Sequence, residues 1–205
     1  MDLIRRLTNV LKNKDLPGSS AHLKMAPTDR ITFIKKNNTL DAAVMILLYP
    51  RKDKYYTVFI KRNIYDGPHS GQVSFPGGKK DERDQDLFAV AIRETVEELG
   101  IPVTHLKILG NLTPLHIPVS NFEVFPVIGY LAEEPLFEPD GTEVQYLIET
   151  PLDLLSNDKI IEFTSLTVRG EKIETPCYSI HDEIIWGATA MILSEFLEVL
   201  ARAGK

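Results

Sequence analysis

Residues 86–99, DLFAVAIRETVEEL, constrain the fold more than any other stretch of this chain. Apolar residues recur at helical spacing, and Gly100 and Pro102 mark where the helix must stop. At about 100° per residue, Glu94, Glu97 and Glu98 fall on one face, related as i, i+3 and i+4. Phe88, Ala89, Ile92, Val96 and Leu99 fall opposite and can enter a core. Three carboxylates on one face repel one another, at roughly a few tenths of a kcal/mol per pair. A bound cation relieves that repulsion. Magnesium suits the donors: it prefers hard oxygens, takes few carboxylates, and completes its shell with water and substrate phosphates.

Taken alone, an E-x-x-E-E run is most often a solvated helix face. Its neighbourhood decides otherwise here. Phe75-Pro76-Gly77-Gly78-Lys79 makes a tight glycine turn just upstream, and an acidic loop with Asp81 and Asp84 joins it to the helix. Glycines before a helix mark close backbone packing or approach to a ligand. A calcium loop built on Asp81, Asp84 and Asp86 is set aside, because the central glycine and terminal glutamate of an EF-hand are missing.

The rest of the chain supplies a sheet for this helix. Leu3, Ile4, Leu7, Val10 and Leu11 make a short amphipathic helix over residues 3–13, followed by a polar stretch and an irregular segment to about residue 37. Residues 42–49 and 55–61 read as buried strands joined by a turn at 51–54, with a short strand at 73–75. Further strands are expected near 105–113, 123–132 and 143–149, a helical turn at 151–155, and a hairpin at 160–168 and 172–180 with Gly170 at its turn. A helix closes the chain from about 186 to 202. The pattern predicts mixed α and β structure, with helices on the faces of a mixed sheet. No internal repeat or linker divides it. Residues 1–37 are expected to form an N-terminal helix and wrapping segment within the same unit as a domain spanning 38–205.

The run Gly78 to Ile101 resembles the Nudix box, a loop–helix–loop signature ending R-E-x-x-E-E-x-G-hydrophobic, here Arg93, Glu94, Glu97, Glu98, Gly100 and Ile101. Arg93 stands 15 positions after Gly78, one more than usual, and Asp84 or Gln85 stands where the box usually has an early glutamate. The coenzyme A pyrophosphatase subgroup has the longer spacing and an aspartate near Asp84. It also has a second signature just before the box. Arg62, His69, Gly71, Gln72, Val73 and the run Phe75 to Gly78 match that signature, with Asp66 in place of a leucine and Gly67 in place of an arginine. Glu143-Val144, the segment from Pro151 to Leu155, and Ile185-Trp186-Gly187-Ala188-Thr189-Ala190 resemble the subgroup as well.

The resemblance implies an α/β/α sandwich and an enzyme that hydrolyses a diphosphate bond using Mg2+ or Mn2+. It implies that Glu94, Glu97 and Glu98 hold metal, that Arg93 orients a glutamate through an ion pair, and that Gly77 and Gly78 shape the site. Glu97 and Glu143 are candidates for the base. Lys61, Arg62 and Lys79 are expected phosphate contacts, with His69 and Gln72 beside the substrate. Trp186 is read as a packing residue rather than a stacking platform. The expected substrate is coenzyme A or an acyl-CoA. Two other readings stay open: a Nudix enzyme of ADP-ribose, NADH or a dinucleotide, and an inactive ligand-binding or interaction module.

Charge and composition narrow the partners. A formal net charge of -6 argues against nucleic acid or an anionic membrane surface, which need clustered positive charge. Metal ions offset acidic groups locally, so a phosphate-bearing small molecule remains compatible. Cys177 is the one cysteine, so no internal disulfide or thiolate metal site forms. The first residues, MDLIRRLTNVLKNK, lack a signal peptide's apolar core, and no apolar run reaches the ~20 residues of a bilayer span. A cytoplasmic protein is expected. Nudix enzymes are often homodimers, and the N-terminal helix is expected to cover either a partner or its own sheet.

Overall fold

The computed structural model describes residues 3–13, 15–27, 38–67, 69–168 and 170–204. The stretch 28–37, most of the expected wrapping segment, lies outside them. In chain order the elements are α1 (Leu3–Lys12), α2 (Ser19–His22), β1 (Leu40–Arg51), β2 (Lys54–Arg62), β3 (Val73–Ser74), β4 (Gly77–Lys79) and α3 (Leu87–Leu99). They continue with β5 (Lys107–Asn111), β6 (Leu115–Ile117), β7 (Phe122–Tyr130), β8 (Val144–Pro151), α4 (Leu152–Leu155), β9 (Ile161–Val168), β10 (Glu171–Ile180), β11 (Glu183–Trp186) and α5 (Gly187–Gly204).

β1 is the axis of the main sheet. It pairs antiparallel with β2 and β4 and parallel with β7, so the sheet is mixed. The order is β3-β2-β1-β7-β5, with β8 against β2 and β6 against β7. A parallel pair needs a crossover connection. α3 lies in the one between β1 and β7.

Side chains on β1 alternate between two cores, as the period of a strand requires. Ala43, Met45, Leu47 and Tyr49 pack with Val90, Ala91 and Leu99 of α3. Ala42, Ile46 and Leu48 face the other way, into a core shared with Leu7 and Leu11 of α1 and Phe196 of α5. The result is the expected α/β/α sandwich. β9, β10 and β11 form a second, antiparallel sheet, with the hairpin turn at Gly170. Tyr178, Ile180 and Ile185 join that sheet to the α5 side of the core. α1 packs on α5 and β5, so the N-terminal helix covers its own domain. Among the described residues no helix is long and apolar enough to cross a membrane.

α2, β4, β6 and β11 are elements that residue patterns did not foresee. Each is three or four residues long and is held by contacts elsewhere in the chain. α2 shows how. Glu195 of α5 is wholly buried, and its carboxylate accepts from Gly18 N at 3.0 Å, Thr113 Oγ1 at 2.7 Å and the Thr113 amide. His22 Nε2 lies 2.9 Å away. Burial pushes this carboxyl up, but His22, Thr113 and Gly18 outweigh it and hold the group below the ordinary value. A carboxyl depressed on folding adds stability that is complete above its unfolded pKa and is lost as pH falls through the folded one. Glu195→Gln should therefore destabilise the protein at neutral pH by about 3 kcal/mol. The same variant should lose less stability than the parent between pH 5 and more acid conditions, as chemical denaturation at a series of pH values would show.

Candidate active site

α3 begins at Asp86, whose carboxylate accepts from the Ala89 amide at 2.9 Å, a helix N-cap. It ends at Gly100, in the left-handed region with φ of 65°. A Cβ there would stand 2.1 Å from the carbonyl oxygen of Glu138. The bare glycine admits the loop that follows β7, and that loop donates to the last helix carbonyls: Glu138 N to Leu99 O at 3.0 Å and Asp140 N to Glu98 O at 3.3 Å.

The helix is rotated from the orientation its apolar residues suggest. Val90, Ala91, Thr95, Glu98 and Leu99 are its buried residues, whereas Ala89 and Val96 are only half-buried. Glu98 therefore faces the sheet instead of sharing a solvated face with Glu97. Its side chain is 2% exposed and that of Glu97 is 58% exposed. The cause is polar. Glu98 Oε2 accepts the Gly77 amide at 2.7 Å, and Oε1 accepts Arg62 Nη1 at 2.9 Å. Desolvation still dominates and pushes the carboxyl up to about 8, against the pull of Arg62 and Gly77.

Glu94 lies one turn earlier against the glycine turn. A Cβ on Gly78 would come within 2.3 Å of its carboxylate, so only glycine leaves the carboxylate its place. Burial raises the Glu94 pKa, opposed by Arg93. Arg93 grips Asp84 with two bonds, Nε to Oδ1 at 3.0 Å and Nη2 to Oδ2 at 2.9 Å. Its Nη1 donates to Glu94 at 2.8 Å and to Glu97 at 3.0 Å, and Nη2 reaches the Lys79 carbonyl at 3.3 Å. Asp84, 4% exposed, is drawn down to about 2, chiefly by Arg93. It clamps the arginine, a role its place in the acidic loop hints at without defining.

Glu143 sits on the loop just before β8. Its charge raises both Glu94 and Glu98, so these three carboxylates share one field. Asn63 holds the end of that loop: its amide donates to Glu143 O at 3.0 Å, and its side chain donates to Gly141 O at 3.0 Å and Thr142 O at 2.9 Å. No sequence motif singles out this role. The loop ties to β2 next to a β-bulge at Lys61/Arg62, a device that re-aims side chains.

The other expected contacts divide. Arg62 is engaged with Glu98. Lys61, on the opposite face of β2, is paired with Glu183 at 2.7 Å. His69 bonds through Nδ1 to Gln72 Oε1 at 3.1 Å, holding the loop between β2 and β3. Lys79 is exposed. Trp186 is half-buried beside Gln72 at the rim of a cavity.

Among the described residues no three acidic, histidine or cysteine side chains converge on one point. The donors nevertheless suit magnesium, which needs one or two carboxylates and keeps several waters. Glu94 and Glu98 are hard oxygen donors, buried enough for their pKa values to rise, in the cradle that Gly78 leaves open.

Fold and site together define a protein that presents acidic side chains from a loop–helix–loop beside a mixed sheet. Residues 39–158 match the NUDIX domain model, and the chain belongs to the Nudix family. It is 36% identical over 129 residues to a protein of Pectobacterium atrosepticum named uncharacterized Nudix hydrolase NudL, a match covering 62% of this chain and 66% of that protein, just under two thirds of its length. A protein of the same name from Photorhabdus laumondii is 30% identical over 162 residues, covering 79% of this chain and 86% of its own. The fold is shared with RenU, a Nudix hydrolase from M. smegmatis, with a TM-score of 0.53 at 15% identity, covering 86% of this chain and 94% of that one.

Asp84 stands behind Arg93 rather than beside Glu94 and Glu98. Partners at that remove typically contribute about 10- to 100-fold in metal affinity or activity. Asp84→Asn should weaken magnesium binding by about that factor, as calorimetric titration would measure, with little change in the circular dichroism spectrum.

Proposed function

We propose that the protein hydrolyses a diphosphate bond within a nucleoside diphosphate derivative, with magnesium or manganese as cofactor, and that the substrate is coenzyme A or an acyl-CoA. The observation that carries the hydrolase reading is the pairing of a buried Glu98, held on Gly77 and Arg62, with a Glu94 fixed by Arg93. Such an arrangement gives two carboxylates set positions beside a glycine turn.

Glu94 and Glu98 would hold the metal, which supplies charge neutralisation on phosphate oxygens and activation of water. Arg93 keeps Glu94 in place, and Asp84 keeps Arg93 in place. Glu97 is turned to solvent and bonded to Arg93, so its part is to complete the arginine's shell. Glu143 is the base in this reading, because its charge acts on both metal carboxylates while its own backbone is clasped by Asn63. It takes a proton from water as the water oxygen bonds to one phosphorus, and the bond from that phosphorus to the bridging oxygen breaks. Two phosphomonoesters leave; from coenzyme A these are 4′-phosphopantetheine and adenosine 3′,5′-bisphosphate.

The coenzyme A reading rests on the matched stretch from Arg62 to Gly78. One position favours a second reading. Gly67 replaces the arginine of the subgroup signature, and a Cβ there would stand 2.7 Å from the Tyr65 ring, so Tyr65 as placed leaves no room for a side chain at 67. Without that cation, ADP-ribose, NADH or a dinucleotide becomes the alternative substrate.

Incubation with coenzyme A, ADP-ribose, NADH and a dinucleoside polyphosphate, with and without magnesium, followed by mass analysis, decides between these. Magnesium-dependent release of 4′-phosphopantetheine is the expected result. Cleavage of another substrate alone keeps the chemistry and discards coenzyme A, and the absence of cleavage throughout favours a binding module. Glu98→Ala should abolish turnover and leave the folded spectrum intact; retained activity would remove Glu98 from the metal site.

A further inference from the structure

A cavity of about 380 Å³ opens between the edge of the main sheet and the small sheet. Lys61, Gln72, Leu166, Asp182, Glu183 and Trp186 line it. Its volume falls in the range of small-molecule sites, about 300–1,000 Å³. Lys61 and Arg62 are neighbours on β2 and turn to opposite faces. Arg62 reaches Glu98, and Lys61 reaches the cavity. One strand thus separates the cavity from the carboxylates.

The lining argues against phosphate. Among the described residues its single cation, Lys61, is already neutralised by Glu183, which also accepts the Tyr146 hydroxyl. Asp182 adds a further negative charge. An anion entering here would meet surplus carboxylate, whereas an N–H donor would meet acceptors. Trp186 and Leu166 add apolar surface. The rim is also built at a cost. Ile180 pairs with Glu183, so β10 and β11 are joined by His181 and Asp182 alone, at φ of 50° and 63°. Turns of this kind normally use Asn-Gly, because both residues must be left-handed. Strain of this sort is found where binding sites need it.

We propose that this cavity binds the uncharged, N–H-bearing arm of the substrate, the part that is not phosphate. The inference rests on the diphosphate hydrolase reading and extends it to the rest of the same molecule. Two sources carry that chemistry: a nucleobase, flat against Trp186 with its amino group toward the carboxylates, and an amide chain such as pantetheine.

Trp186 is the only tryptophan in the chain, so its emission reports on the cavity directly. Adenosine and pantetheine, neither of which carries a diphosphate, would be titrated against the full chain while that emission is followed. A saturable change with adenosine assigns the cavity to the base, and one with pantetheine assigns it to the amide chain; no change with either overturns the proposal. Leu166→Arg would fill the cavity from β9, where Leu166 is half-buried. It should remove the emission response and raise KM roughly tenfold, with kcat nearly unchanged, at an unaltered melting temperature. Hydrolysis by that variant with unchanged KM would overturn the cavity assignment and leave the hydrolase reading standing. An emission response in a protein that hydrolyses none of the substrates would do the reverse.

Discussion

A carboxylate almost without access to water is the constraint around which this protein is arranged. Leaving an ion in such a place costs several kcal/mol unless its oxygens are satisfied. Glu98 is satisfied from two directions, by the amide of Gly77 and the guanidinium of Arg62. The first demands that the glycine turn lie against α3. The second demands that β2 change register at Lys61/Arg62, where the bulge sends one side chain to the carboxylate and its neighbour to the cavity. The rotation of α3 follows from the same demand. Thr95 and Glu98 take places that a purely apolar face would give to Ala89 and Val96.

Arg93 does for the outer carboxylates what Arg62 does for the inner one, with a division of strength. Its pair of hydrogen bonds to Asp84 is charge-assisted and bidentate, the stronger kind. The remaining donors reach Glu94 and Glu97 singly. The aspartate therefore anchors the arginine, and the arginine in turn holds Glu94 against the glycine turn. Burial leaves the oxygens of Glu94 and Glu98 poorly solvated, and both carboxyls are raised accordingly.

Much of the fold was legible because it is written in apolar runs and their spacing. β1 and β2 are almost unbroken apolar runs of strand length, α3 repeats at helical spacing, and Gly170 marks a hairpin. What was not legible is short or polar. Gly77–Lys79 has no strand propensity and becomes β4 only because Ala42–Val44 offers it an edge. β6 and β11 are three and four residues long, below the length at which alternation means anything. In the site, the acidic run and its glycines stood out as a pattern. The direction of Glu98 did not, since apolar counting cannot register a buried carboxylate that hydrogen bonds have made tolerable. Asn63 was invisible for a related reason: it acts by clasping the loop before Glu143, chiefly through backbone groups that no motif records.

That clasp separates the length of a loop from the position of its end. Residues 138–140 rest on the last carbonyls of α3, and residues 141–143 are fastened to Asn63. The stretch from Leu131 to Phe137 lies upstream of both fasteners. Leu131 donates to Leu48 O, Glu134 pairs with Arg51 and Phe137 packs on Tyr49, all at the end of β1 away from the glycine turn. Insertions or deletions accumulating there over descent would alter that end of the sheet without moving Glu143. Variation in length and constancy of the acidic group are lodged in adjacent pieces of one loop.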